Sequence, residues 1–175
     1  MKNIFFVGLK HSGKTLFSHI VASHLSLRCF DLDELILDDI DLSIRDFYKK
    51  YGKDAFMEKE KDAYNKLKKK EDEGYILSLG GGVSDNTPLM EELKKDGVIV
   101  YLEREEEDML PFILKSGIPP FLDKDNLTSS FHDLYERRDI IYSSYASLII
   151  ELGRYGDKEK TAKLIIDRLK ENGYV

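Results

Sequence analysis

Gly8-Leu9-Lys10-His11-Ser12-Gly13-Lys14-Thr15 stands directly after the apolar run Ile4-Phe5-Phe6-Val7 and directly before Leu16-Phe17-Ser18-His19-Ile20-Val21-Ala22. The spelling G-x-x-x-x-G-K-T matters less than its place. A short β-branched and aromatic run reads as a buried strand, and the stretch after the motif reads as a helix. The motif therefore occupies a strand–loop–helix junction, the context in which it forms a phosphate-binding loop. Its glycines let the backbone turn so that successive N–H groups and the helix N-terminus face an anion. Lys14 is expected to reach the outer phosphates, and the Thr15 hydroxyl is placed to ligate Mg²⁺. Gly8, His11, Ser12, Gly13, Lys14, Thr15 and Leu16 form the expected nucleotide-binding set. His11 is expected to serve as a loop position rather than as a catalytic histidine.

Outward from this loop, strand-like runs recur at 4–7, 27–30, 76–79, 98–102 and 148–152. Helical stretches lie between them at 15–25, 43–51, 56–70, 87–95, 131–145 and 158–172. Near-continuous apolar strands alternating with helices indicate an α/β protein with a parallel sheet covered on both faces. In such folds ligands bind at the carboxyl ends of the strands. That rule points to four loops: 8–14, 31–33, 80–82 and the turn after Leu152. The segment 116–130 carries Gly117, Pro119 and Pro120 and fits neither the helical nor the strand period. It reads as a long loop of the kind that serves as a mobile lid. No repeat or linker interrupts the pattern, so residues 1–175 are expected to form one domain.

The chain has 175 residues, 42% hydrophobic and 34% charged, enough to bury a core without disulfides. Its net charge of −6 argues against a nucleic-acid partner. The only cysteine, Cys29, cannot form an internal disulfide, which fits a reducing compartment. No run of 18 apolar residues exists and a core strand begins within three residues of Met1, so neither a membrane span nor a signal peptide is expected. A cytoplasmic protein, monomeric, acting on a small molecule, is the expectation. No guanine-reading N-K-x-D follows the loop; the nearest string, Asn65-Lys66-Leu67-Lys68, lacks the aspartate. A GTPase-type switch is therefore disfavoured.

Asp31 and Asp33 follow the second strand as D-L-D. One carboxylate could hold the water shell of Mg²⁺ while the other accepts a proton from an attacking hydroxyl. Asp31 could equally cap a helix over 32–37. Gly80-Gly81-Gly82 follows the third strand, and three absent side chains leave room for a ligand against bare backbone. Arg45 and Glu60 read either as an ion pair supporting that pocket or as plain surface residues.

Together these residues resemble the shikimate kinase family, small P-loop kinases that phosphorylate a ring hydroxyl of a cyclohexene carboxylate. The similarity runs through Gly8 to Thr15, Asp31-Leu32-Asp33-Glu34-Leu35-Ile36 and Ser43-Ile44-Arg45-Asp46-Phe47. It continues through Gly52, Phe56 and Glu60, the triple glycine, and Leu134, Arg138, Tyr142 and Ala146. The resemblance implies a three-layer P-loop kinase fold with a five-stranded parallel sheet and a mobile lid, using ATP and Mg²⁺. It assigns Lys14 and Asp33 to catalysis, Lys14 on the phosphates and Asp33 on the substrate hydroxyl. Thr15 would bind the metal, and Asp31 would assist through water. Asp33, Gly80, Gly81, Gly82 and Arg138 would hold the substrate, Arg138 on its carboxylate, and Arg154 would flank the base. Two positions depart from the family pattern: Met57 and Pro119 stand where it has arginines. Cations at Lys10, Arg45, Lys115, Lys124 or Arg137 would have to compensate. Otherwise the acceptor is a different hydroxylated molecule, or the chain binds nucleotide with weak or lost catalysis.

Overall fold

The structure is a computed structural model that describes residues 2–119, 122–154 and 156–175. Its centre is β1 (Asn3–Val7), whose Ile4, Phe5, Phe6 and Val7 are all fully buried. Alternate side chains of a strand point to opposite faces, so a strand apolar at every position must be covered twice. Phe5 and Val7 join a core with Leu32, Ile36, Tyr64, Leu77, Ile99 and Tyr101. Ile4 and Phe6 join the opposite core with Phe17, Val21, Val100, Ile150 and Ile165. The result is three layers.

Five strands make the sheet in the order β2-β3-β1-β4-β5, every neighbouring pair parallel. They are β1, β2 (Arg28–Asp31), β3 (Tyr75–Ser78), β4 (Gly97–Arg104) and β5 (Leu148–Leu152). Helices α1 (Lys14–Leu25) and α7 (Lys158–Glu171) cover one face. The other carries α2 (Leu32–Leu37), α3 (Ile44–Lys70), α4 (Thr87–Asp96), α5 (Glu106–Ser116) and α6 (Leu127–Tyr145). Since β1 lies in the middle, the loop leaving it opens at the centre of the carboxyl edge. The ends of β2 and β3 deliver their loops to one side of it, and those of β4 and β5 to the other.

The helices expected at 43–51 and 56–70 are both present within α3, parted at Gly52, whose φ of 84° and ψ of −178° are non-helical. Two local features differ from the sequence expectation. Helix α5 lies where the sequence patterns indicate no element. Pro111 sits inside it, a residue that removes a helical hydrogen bond; buried Met109 and Ile113 hold the helix to the core regardless. The expected loop at 116–130 is shorter, because Ser116 ends α5 and residues 127–130 form the first turn of α6. That turn is tied down by Ser130, whose Oγ accepts from the Asp123 amide at 3.2 Å. Pro120 and Phe121, part of the expected lid, and Tyr155, in the turn after Leu152, lie outside the described residues.

The backbone of Gly52 occupies a region that only glycine enters readily, while a Cβ built there would meet nothing within 4 Å. Conformational strain, not collision, is therefore the penalty for replacing it. Gly52→Ala should lower unfolding free energy by about 1–3 kcal/mol, read from urea denaturation. An unchanged midpoint would show that α3 can straighten through this position.

Candidate active site

Loop 8–13 is set by left-handed residues, Gly8 at φ 151°, His11 at 69° and Gly13 at 102°. A Cβ on Gly8 would lie 2.7 Å from both the Leu102 carbonyl and Ser12 Oγ, so the loop also needs glycine for room. Lys14 is buried, and its Nζ donates to the Leu9 carbonyl at 2.7 Å, folding the ammonium back over the loop. Burial pushes Lys14 down to about 8, against the pull of the Asp33 and Asp31 carboxylates. A cation held dry in this way gains more from an arriving phosphate than a solvated one would.

Asp31 caps the helix that follows it and also faces Thr15. One carboxylate oxygen accepts from the Asp33 amide at 3.0 Å, capping α2. The other accepts from Thr15 Oγ1, also at 3.0 Å. Ser78 Oγ stands 3.4 Å from the same Thr15 hydroxyl. The sequence reading missed Ser78, although its place at the end of β3 beside the loop was available from topology. Thr15, Asp31 and Ser78 thus present oxygens only. Among the described residues no group of three or more His, Cys, Asp and Glu side chains gathers as a metal cage. All-oxygen ligation with few protein ligands suits a Mg²⁺ that keeps most of its water and leans on phosphates.

The triple glycine works by what it lets approach. A Cβ on Gly80 would sit 2.9 Å from Asp33 Oδ1, and one on Gly81 would sit 2.8 Å from the Lys10 amide nitrogen. On Gly82 it would lie 3.5 Å from Arg138 Nη2. The room expected for a ligand is thus partly taken by the protein's own functional groups. Arg138 is buried and donates from Nη1 to the Gly81 carbonyl at 2.8 Å, beside the Tyr142 hydroxyl at 2.9 Å on the same oxygen. Asp33 is pushed up to about 6, first by burial and then by Asp31, with Lys14 and Lys10 opposing. A carboxylate raised this far toward neutrality is suited to receive a proton.

Around Arg138 the helix α3 is stitched to the turn after the glycines. Asn86 Nδ2 donates to the Met57 carbonyl and to Glu60 Oε2, each at 2.9 Å. Asp85 receives Lys53 at 3.0 Å and Arg137 at 2.9 Å. Glu60 is therefore neither surface nor bound to Arg45: it is 2% exposed with Asn86 as its partner, and Arg45 is exposed. Of the cations considered from sequence, Arg137 stands beside Arg138 on α6. Lys53, not considered, lies one helical turn before Met57.

A second cavity opens between the start of α1 and the loop after β5, lined by Gly13, Leu16, Phe17, Gly153 and Arg154. Arg104 also lines it and was missed from sequence. It is buried at the end of β4 and donates from Nη1 to the Gly153 carbonyl at 2.7 Å. Its only sequence signal was a cation two residues past the apolar run 98–102.

The family model described as Shikimate kinase matches residues 10–170. The chain belongs to the shikimate kinase family. A shikimate kinase of Clostridium botulinum is 34% identical over 151 residues, covering 85% of this chain and 87% of that one. The solved shikimate kinase of Acinetobacter baumannii, in complex with shikimate, superposes with a TM-score of 0.89 at 27% identity. That match covers 100% of this chain and 96% of that chain. The shikimate kinase of Bacteroides thetaiotaomicron shares the fold, with a TM-score of 0.82 at 22% identity over 97% and 98% of the two chains.

Within this shikimate kinase fold Glu60 is a carboxylate that is costly to ionise. Burial raises it to about 7, helped by Asp33 and Asp85 and opposed by the Asn86 hydrogen bond and Arg138. Its folded value exceeds its unfolded one, so the native state holds a proton that the unfolded chain has lost. The contribution of Glu60 to stability therefore falls as pH rises from the usual carboxylate range to about 7. Glu60→Gln, which keeps an oxygen for Asn86, should be more stable than wild type at pH 8 by roughly 2 kcal/mol. The difference should vanish at acid pH, where both side chains are neutral. Calorimetric melting at the two pH values reads this directly, and a variant that melts lower at pH 8 would contradict it.

Proposed function

We propose that this protein transfers the γ-phosphoryl group of ATP to a ring hydroxyl of shikimate, giving shikimate 3-phosphate and ADP. The observation that carries the reading is the meeting at Gly80–Gly82 of three groups. They are the phosphate loop at Lys10, the Asp33 carboxylate and the Arg138 guanidinium. Donor, base and anion clamp are thereby gathered in one pocket, as phosphoryl transfer by positioning requires. The Acinetobacter relative, whose structure holds shikimate, and the family match support that acceptor.

In this reading Asp33 accepts the hydroxyl proton as the hydroxyl oxygen bonds to the γ-phosphorus. The bond from that phosphorus to the β–γ bridging oxygen breaks, and ADP leaves with the electron pair. Lys14 and the loop amides hold the phosphate oxygens. Mg²⁺, when bound beside Thr15 with Asp31 and Ser78 as outer partners, supplies charge neutralisation on the phosphates. Arg138 grips the substrate carboxylate, a bidentate match for a planar guanidinium. Lys53 and Arg137, drawn together by Asp85, add positive charge on the same side and support an anionic acceptor despite Met57. The base of ATP lies in the cavity between Arg104 and Arg154. With its acidic balance and lone cysteine, the chain fits a cytoplasmic monomer of one domain.

A coupled ADP-release assay with Mg·ATP tests the acceptor, with shikimate run beside quinate and gluconate. Turnover with shikimate alone is expected; turnover only with another polyol would move the assignment to that molecule. Asp33→Asn should reduce kcat by about 10²–10⁴-fold while ATP affinity stays near wild type. Equal losses in both would make Asp33 a structural residue.

A further inference from the structure

The cations already placed in the site are bonded within the protein. Lys14 donates to the Leu9 carbonyl and Arg138 to the Gly81 carbonyl, while Lys53 and Arg137 both stand on Asp85. Lys10 differs. Its side chain is exposed and, among the described residues, makes neither a hydrogen bond nor an ion pair. Its backbone is nonetheless closely placed. A Cβ on Gly81 would lie 2.8 Å from the Lys10 amide nitrogen and 3.2 Å from its Cα, and one on Gly80 would lie 2.9 Å from Asp33 Oδ1. Consecutive glycines thus seat Lys10 and Asp33 side by side, where the phosphate loop meets the glycine turn. The charge is felt across that gap: burial raises Asp33, and Lys10 joins Lys14 in opposing the rise.

Phosphoryl transfer places the γ-phosphorus between the same two neighbours. The acceptor hydroxyl gives its proton to Asp33, so its oxygen lies within hydrogen-bond reach of that carboxylate. The phosphorus it attacks lies next beyond, toward the phosphate loop. During transfer, charge is spread over the three equatorial oxygens of the moving group. Lys14, folded back over Leu9, is placed on the donor side of that group. Lys10 stands on the acceptor side, and its ammonium offers three rotatable donors on a flexible four-carbon stem.

We propose that Lys10 is a further catalytic residue: its ammonium donates to the oxygens of the transferring γ-phosphoryl group on the side facing the acceptor. This rests on the phosphoryl-transfer reading given above. Lys10 keeps its protons throughout, while the acceptor proton passes to Asp33 and the β–γ bridging oxygen leaves with ADP. Because the ammonium is exposed, water competes for it until a seated acceptor displaces that water and strengthens the contact. Lys10 therefore favours the transition state over the binding of ATP alone, and such an interaction is read in the rate rather than in affinity.

Lys10→Met and Lys10→Arg decide the matter through three measurements beside melting. These are the single-turnover transfer rate with Mg·ATP and shikimate, Mg·ATP affinity by titration calorimetry, and affinity for Mg·ADP with aluminium fluoride and shikimate. Aluminium fluoride stands in for the moving phosphoryl group. Lys10→Met keeps an unbranched side chain and the backbone amide but loses the charge. Its transfer rate should fall about 10²-fold, and affinity for the aluminium fluoride complex should fall by the same factor. Mg·ATP affinity and melting should stay near wild type, and Lys10→Arg should keep most of the rate. A merely structural lysine would lower melting and leave the aluminium fluoride complex no weaker than Mg·ATP. A transfer rate near wild type in Lys10→Met, or equal losses of rate and Mg·ATP affinity, would overturn the proposal. Failure of the wild type with shikimate is a separate result: turnover of another polyol moves the comparison to that acceptor, and absence of any transfer removes the reading and this proposal with it.

Discussion

Everything in this site depends on one close approach between two stretches of backbone. Gly81 lies so near the amide of Lys10 that a single added carbon would collide with it. This contact brings the loop after β3 onto the loop after β1, at the middle of the sheet's carboxyl edge. Arg138 and Tyr142 then clamp the Gly81 carbonyl from α6, fixing that approach from the far side. The flanking glycines continue the same logic, Gly80 admitting the Asp33 carboxylate and Gly82 the Arg138 guanidinium. The phosphate loop, Asp33 and Arg138 are neighbours because three side chains are missing.

Bringing those groups together buries charge of both signs. Lys14 and Arg138 are buried, Asp33 is raised and Glu60 is raised further. Such groups are expensive unless hydrogen-bonded, and the backbone supplies most of the bonds through the carbonyls of Leu9, Gly81 and Gly153. A carbonyl satisfies a cation without neutralising it. These cations lie in a chain whose net charge is −6. Lys53 and Arg137 stand on Asp85 along the wall where the Met57 carbonyl accepts from Asn86.

The residues that could be named in advance were those whose chemistry is local. The phosphate loop declares itself because strand, glycines, lysine and helix are consecutive. Asp31 and Asp33 declare themselves because they close a strand. What escaped were residues whose role exists only across elements. Ser78 meets Thr15 because β3 lies beside β1; Arg104 reaches Gly153 because β4 pairs with β5; Asn86 reaches Glu60 because α3 folds back over the glycine turn. Helix α5 escaped for another reason. Its proline contradicts local helix preference, and only the burial of Met109 and Ile113 overrides it. Asp31 could be read as a cap or as facing the phosphate loop only while its two oxygens were counted as one; one takes the Asp33 amide and the other the Thr15 hydroxyl.

The sequence by itself determined the layered α/β architecture, the phosphate loop and the family, because apolar periodicity and consecutive motif residues act over short range. It also pointed to Arg138 and the triple glycine as candidate ligand groups. Only the tertiary structure decided why those glycines are required and which cations stand near Arg138. Those facts are distances between residues tens of positions apart, and packing sets them once the strands have taken their order.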